Sequence, residues 1–463
     1  MSLAPRKDRR QGILPFVLVL GEREDVTARA GLPLVVETGR ALSMDADARE
    51  LFGPARRKDD FGADEKLEAL ATLIAAGGDR VEDIRILADD KGLMRLLGCP
   101  FPSPDSLLDF LNSFHDPKCW AERPKDKKAF VAPESARLQL LETLSRRLTL
   151  RACEPSSTVA TIDHDGTIIE AHKRGALLAY EGTRGYQPLV AAWAEEQLIV
   201  ADEFRDGNVA GGEDPLSSVK RAFENLPATV QERYFRGDSA DYYTPLLKYL
   251  VAERIGFAIS ADMSKQLRVR CEQLPTTAWL EMERRDRETV EVAEVEFEPD
   301  DWAKSAKPLR YVALRFTPLQ TELFTDETPR YHAVVSNRTE LSAIELIRWH
   351  RGKAGTIEHV HRVLKDELAA GVMPCQQFGA NAAWFRINVI TYNLLTALKR
   401  KALPERYRLA RPKRLRFDLF TLPAKLTVHE SQLSVQTSAA GSRLEELIAA
   451  RRRLLQIFES PVH

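Results

Sequence analysis

The sequence lacks several features, and each absence removes a class of function. Cysteine is scarce: five residues, Cys99, Cys119, Cys153, Cys271 and Cys375, are spread over 463 positions. Their number is odd and no two stand at metal-ligand spacing, which argues against a disulfide framework or a zinc centre and for a reducing, cytoplasmic compartment. No run approaches the roughly 20 apolar residues of a membrane helix. The longest candidate near the start, "GILPFVLVLGE" (12–22), is brief, ends in charge and has no small-residue cleavage site, so it is read neither as a span nor as a signal peptide. Internal repeats and low-complexity tracts are absent too. Net charge is also nearly missing, at −1, so any affinity for nucleic acid has to lie in how charge is distributed.

What remains is the composition of a soluble globular protein, 44% hydrophobic and 29% charged, long enough for two to four domains. The charge is unevenly placed. Residues 399–416 carry nine Lys or Arg against one acid, Glu405, whereas 281–301 ("EMERRDRETVEVAEVEFEPDD") are strongly acidic. Residues 1–30 read as a polar tail with a short apolar segment. From 31 to 155 the periodicity is helical: "DEKLEALATLIAAGG" puts Leu67, Leu70, Leu73 and Ile74 on one face, and Ser103-Pro104 opens "SPDSLLDFLNSF" as cap and first turn. At about 156 the pattern changes. Three strands in hairpin succession ("TVATIDHD" and the two halves of "PLVAAWAEEQLIVADEF") precede an order of helix, strand, helix, strand, which spells a mixed α/β core. Residues 266–334 alternate with period two. A long helical stretch follows, with a break expected at Gly352 and Gly355. Residues 373–463 hold a hydrophobic helix, the basic run, a short strand and a last helix.

Carboxylates carry the chemistry. "TIDHDGTIIEAHK" (161–173) places Asp163 and Asp165 on one face at a strand end. Two acids so placed suit a phosphatase with Asp163 as nucleophile and Asp165 as acid/base, as in haloacid dehalogenase-like enzymes. They equally suit a phosphodiester enzyme in which acids hold metal. That chemistry calls for two divalent ions roughly 3.5–4 Å apart, held by carboxylates from rigid elements. Two further acids are available: Asp238, at the end of "RYFRGD", and Glu358, in "TIEHVHRVLKDEL", with Lys365 two helical turns on and Arg362 on the same side.

These segments, in this order, resemble bacterial insertion-sequence transposases of the DDE class, the branch grouped with piggyBac-like elements. The match is carried by "IDHDGTIIEAHKRGA", "YEGTRGYQPLVA", "ADEFRDGN", "YFRGDSADYY", "YHAVVSNR" and "RWHRGKAGTIEHVHRVLKDEL". The resemblance implies a multidomain α/β protein: a ribonuclease H-like mixed-sheet core (156–265 and 335–372) and a β-rich insertion (266–334). A helical N-terminal DNA-binding domain (31–155) and a helical, basic C-terminal region (373–463) flank them. It implies Asp165, Asp238 and Glu358 as catalytic, metal-binding acids, with two Mg²⁺ ions or Mn²⁺ in their place. The implied partners are double-stranded DNA, both terminal inverted repeats and target, and a second copy of the chain, in a bacterial cytoplasm and with no membrane. Lys353, Arg362 and Lys365, and in the basic run Lys399, Arg400, Lys401, Arg411, Lys413 and Arg414, are the expected DNA contacts. One departure stands out: relatives often carry Arg four residues before the Glu, and here that position is Ala354. In some relatives an insertion Trp stacks on a flipped base, for which Trp279 and Trp302 are the candidates. A transposase-derived DNA-binding protein without catalysis is a further reading.

Overall fold

The computed structural model describes residues 24–55, 60–121, 123–124, 128–302, 308–319, 329–429, 432–437 and 441–459. The apolar run 12–22, and most of the tail assigned to 1–30, lie outside these. No helix among the described residues is long and apolar enough to cross a membrane.

A nine-stranded mixed sheet runs through the molecule. Its strands, in chain order, are β1 (Val159–Gly166), β2 (Leu189–Trp193), β3 (Leu198–Glu203), β4 (Glu232–Gly237), β5 (Gly256–Ala261), β6 (Leu280–Arg284), β7 (Glu288–Val295), β8 (Arg310–Pro318) and β9 (Arg330–Ser336). The spatial order is β6-β7-β8-β9-β5-β4-β1-β2-β3. β1, β2 and β3 form antiparallel hairpins, and β4 and β5 then run parallel to β1 on its other side. Helices α2 (Leu216–Glu224) and α3 (Thr244–Ala252) supply the crossovers that parallel strands require. The buried strands β2 and β3 read "LVAAW" and "LIVADE", runs that are apolar on both faces or nearly so.

The period-two stretch 266–334 begins with a helix, Lys265–Glu272, before its strands appear. The strands then continue the core sheet. β9 pairs antiparallel with β5, so an edge that would present unpaired backbone groups is covered.

Helices from distant sequence regions pack together. Ala136–Ala152 (α1), with Ala63–Ala76 and Pro104–Asn112, surrounds Phe378–Ala397 (α6), which also lies against β3. α6 is buried all round, as expected of a helix that is apolar on every face. Its few polar groups are satisfied across the interface. Asn393 brackets the Ile199 backbone, accepting from its N–H at 2.9 Å and donating to its carbonyl at 2.8 Å. The buried Arg386 reaches Asp202 and Glu134. Thus the hydrophobic helix of the C-terminal region sits at the centre of the N-terminal helical layer and joins that layer to the sheet.

Candidate active site at the ends of two parallel strands

β1 and β4 are parallel neighbours, with Ile162 opposite Phe235 and Asp163 opposite Arg236. Carrying that register two residues on sets Asp165 opposite Asp238, and adjacent strands are only about 4.8 Å apart. Tertiary pairing therefore brings two acids from distant sequence positions to one sheet end. Asp238 leaves β4 as the cap of a short 3₁₀ turn, its Oδ1 accepting from the Ala240 N–H at 3.0 Å. Asp165 has its pKa raised, chiefly by desolvation and further by the Asp238 charge, while Lys353 pulls it down. The Lys353 ammonium lies 3.6 Å from Asp165 and is itself buried.

Asp163 does something different. It is 0% exposed, and both oxygens are held by Arg236 in a bidentate pair at 2.6 and 2.8 Å. The Thr356 hydroxyl also donates to it, and Arg236 donates from Nη1 to the Trp349 carbonyl at 2.8 Å. This clamp fastens β1 and β4 to the break between α4 (Ala343–Arg351) and α5 (Ile357–Arg362). It thereby fixes Lys353, which lies in the Gly352–Gly355 turn. A carboxylate so enclosed offers no free oxygen to attack a substrate, which removes the phosphatase assignment of Asp163.

Behind the acids, His164 faces the other side of β1. Its Nδ1 pairs with Asp241 at 2.8 Å and its Nε2 with the Ser218 hydroxyl at 3.2 Å. Gly237 makes that approach possible: a Cβ there would lie 2.4 Å from the Asp241 carboxylate. The His350 Nε2 donates to the Gly237 carbonyl at 3.0 Å, and burial pushes this imidazole down to about 4. His361 on α5 is buried with neither ring nitrogen partnered among the described residues. Burial, followed by the charges of Lys353, Lys365 and His164, pushes it down to about 3.

Residues 17–458 match the transposase DDE domain group 1 family. The chain belongs to that transposase family. Among solved structures, one of the piggyBac transposase synaptic complex with hairpin DNA is similar, at 11% identity over 94% of this chain and 84% of that one, with a TM-score of 0.43. No curated protein matches.

In this transposase the third expected acid stands apart. Glu358 is exposed on α5, and no group of three or more His, Cys, Asp or Glu among the described residues could hold a metal ion. The donors that do converge, Asp165 and Asp238, suit a hard divalent cation in kind. Such a cation would also relieve the desolvation and mutual repulsion that raise the Asp165 pKa. They are two acids where three were expected. The Glu358–Lys365 face differs from the expected continuous helix as well. α5 ends at Arg362 and Val363–Glu367 form a π-turn, so Lys365 is carried to the Ile168 carbonyl, 2.9 Å away, and the Thr167 hydroxyl at 3.4 Å. Arg362 is exposed.

The basic run of the transposase is largely spent inside the molecule. Arg400 is paired with Glu196 at 2.7 Å, Lys401 donates to the Cys153 carbonyl, and Arg411 is paired with Glu367. Lys399 donates to the Ala410 carbonyl, and burial lowers its pKa to about 8, with help from Arg400. Lys413 and Arg414 are exposed, Arg414 beside Asp418 at 2.6 Å. A count over a sequence window sees nine cations and misses the acids that other segments bring to them. The insertion tryptophans are also covered: Trp279 lies under the Arg315 guanidinium, 4.4 Å from its ring, and Trp302 is buried.

Sequence reasoning missed Arg236, Thr356, His164 and His350. A signal for the clamp was present. Asp163 precedes Asp165 by two residues just as Arg236 precedes Asp238, and a parallel pairing of the two strands makes these offsets coincide.

Proposed function

We propose that this transposase cleaves DNA at the terminal inverted repeats of an insertion sequence and joins the freed ends to target DNA. The observation that carries the reading is the juxtaposition of Asp165 and Asp238 at the ends of parallel β1 and β4, in a family whose chemistry is DNA transposition. The strand order β3-β2-β1-β4-β5 supports reading this part as a ribonuclease H-like core with 266–334 as its insertion. Asp165 and Asp238 would hold divalent magnesium, or manganese in its place, and Glu358 would serve as the third ligand once α5 brings it to the pair. When bound, the ions supply charge stabilisation at the phosphodiester and a nucleophile at neutral pH. The chain's own residues do the rest. The Asp163–Arg236–Thr356 clamp holds the strand ends to the helix that bears Glu358. Lys353, beside Asp165, offsets its charge while the acids stand alone and lies where a DNA phosphate approaches. Lys365, Arg362, Lys413 and Arg414 are the backbone contacts, joined by Lys399, Arg400, Lys401 and Arg411 only where DNA displaces their internal partners. Two copies of the chain holding two ends complete the scheme, in the cytoplasm.

Cleavage of a labelled duplex bearing the terminal repeat, with Mg²⁺, tests this. Asp165→Ala, Asp238→Ala and Glu358→Ala each abolish cutting while leaving duplex binding in place. Wild-type cutting by Glu358→Ala would remove the third acid from the scheme. Binding should also weaken steeply with salt.

A further inference from the structure

A cavity of about 220 Å³ lies against α5 and the turn between β2 and β3. It is smaller than the roughly 300–1,000 Å³ of drug-sized sites, so the group it admits is small. Trp193, Val360 and Leu409 give it apolar walls, and Leu409, 74% exposed, stands at its mouth. His359 and Lys399 are its basic residues, and no Asp or Glu among the described residues lines it. Thr356 lines it too, so the cavity backs onto the clamp around Asp163.

Lys399 is the reactive group. It stands in the π-turn Leu398–Ala402 that ends α6, half-buried at the cavity wall. Its Nζ donates to the Ala410 carbonyl at 3.3 Å, and no carboxylate among the described residues pairs with it. Burial, and then the Arg400 charge, lowers its pKa to about 8. At about pH 7.5 roughly a quarter of such an amine is unprotonated, against about one in a thousand for an ordinary lysine. Desolvation and a neighbouring cation are the two means by which a lysine becomes a nucleophile. The surrounding charge is mostly positive: Lys399, Arg362 and Arg411 all act on His359, with Glu367 opposing them. Such a wall draws an anion, and a free amine beside it can attack an electrophile that the anion carries.

We propose that Lys399 is an acylation site, taking a short acyl group from an acyl phosphate that this cavity seats. The apolar walls receive the acyl group, and the basic side receives the phosphate. The unprotonated Nζ attacks the carbonyl carbon. A C–N bond forms as the C–O bond to phosphate breaks, inorganic phosphate leaves with the electron pair, and the amine gives its proton to water. The product is a neutral amide, so the step removes one positive charge from the wall shared with α5. This chemistry is independent of the transposase reading and goes beyond it.

The test incubates the full chain with acetyl phosphate at about pH 7.5 and follows each lysine by peptide mass spectrometry. Lys399 should be acetylated about tenfold faster than the exposed Lys265 and Lys425, which keep ordinary amines. Excess inorganic phosphate should slow this labelling and leave labelling by the neutral N-hydroxysuccinimidyl acetate unchanged. Leu409→Glu places a carboxylate at the mouth, which favours the ammonium and repels the phosphate, so Lys399 should lose its advantage. Because Leu409 is exposed, that variant should keep the wild-type melting temperature, which separates the effect from unfolding. Lys399 labelled no faster than Lys265 and Lys425, or labelled equally in Leu409→Glu, overturns the site. Phosphate that fails to protect Lys399 from acetyl phosphate overturns it as well.

Discussion

Asp163→Ala is the substitution that separates a structural acid from a catalytic one. Asp163 is fully buried, and Arg236, its partner, has a side chain only 8% exposed. The change deletes two charge-assisted hydrogen bonds, at 2.6 and 2.8 Å, and the bond from Thr356. It leaves a guanidinium in the interior with the Trp349 carbonyl as its remaining acceptor in the clamp. Removing one partner of a buried pair costs about 3–5 kcal/mol, because the other charge stays desolvated and unpaired. At 1.36 kcal/mol per decade this is roughly two to nearly four powers of ten in the folding equilibrium. Urea denaturation at neutral pH, followed by circular dichroism, reads the effect as a large drop in midpoint. Asp165→Asn, two residues along the same strand face, is the control. That carboxylate is desolvated beside Asp238, so neutralising it should leave the midpoint at the wild-type value or above. Replacing both members of the clamp, Asp163→Leu with Arg236→Met, should recover most of the loss, since apolar groups of similar size carry no desolvation cost. An Asp163→Ala protein that unfolds at the wild-type urea concentration would refute the reasoning.

Further outcomes follow from the same geometry. Gly237→Ala puts a methyl 2.4 Å from the Asp241 carboxylate and should cost about 1–3 kcal/mol in urea denaturation through displacement of the His164–Asp241 pair; an unchanged midpoint counts against that packing. His350 has a folded pKa depressed to about 4, below its ordinary 6.5, so its contribution is present above pH 6.5 and is lost as pH falls toward 4. His350→Gln, which keeps a donor near the Gly237 carbonyl, should flatten the stability profile between pH 6.5 and 4, and an unchanged slope counts against the assignment. Asp206 runs the other way: burial lifts its pKa to about 6 against the opposing pull of Arg123. The stability it contributes is full below its ordinary 3.8 and is lost as pH rises through 6. Asp206→Asn should therefore gain on wild type between pH 4 and 7, by about 1–3 kcal/mol at the upper end, read from urea midpoints across that range.

The sequence already contained the local structure. The Ser103 cap, the helix break at Gly352 and Gly355 and the tight turn between β2 and β3 are short-range matters of backbone geometry, and each appears where the residues put it. The mixed α/β character was legible for the same reason, because strands and helices bury different periodicities. Family membership was legible too, since motifs in order survive without any knowledge of contacts.

Partners depend on long-range packing, which no window reveals. The nine cations of 399–416 look free in sequence and are mostly spoken for by Glu196, Glu367, Asp418 and backbone carbonyls from other segments. Asp163 and Asp165 are alike in sequence. Only the parallel register of β1 and β4 decides that one faces an arginine and is sealed, while the other faces Asp238 and stays open. Which acids exist, and at which strand ends, was set by the chain itself. Which of them carry charge toward a substrate was set by the neighbours that desolvate, pair or repel them, and those neighbours come together only when the sheet forms.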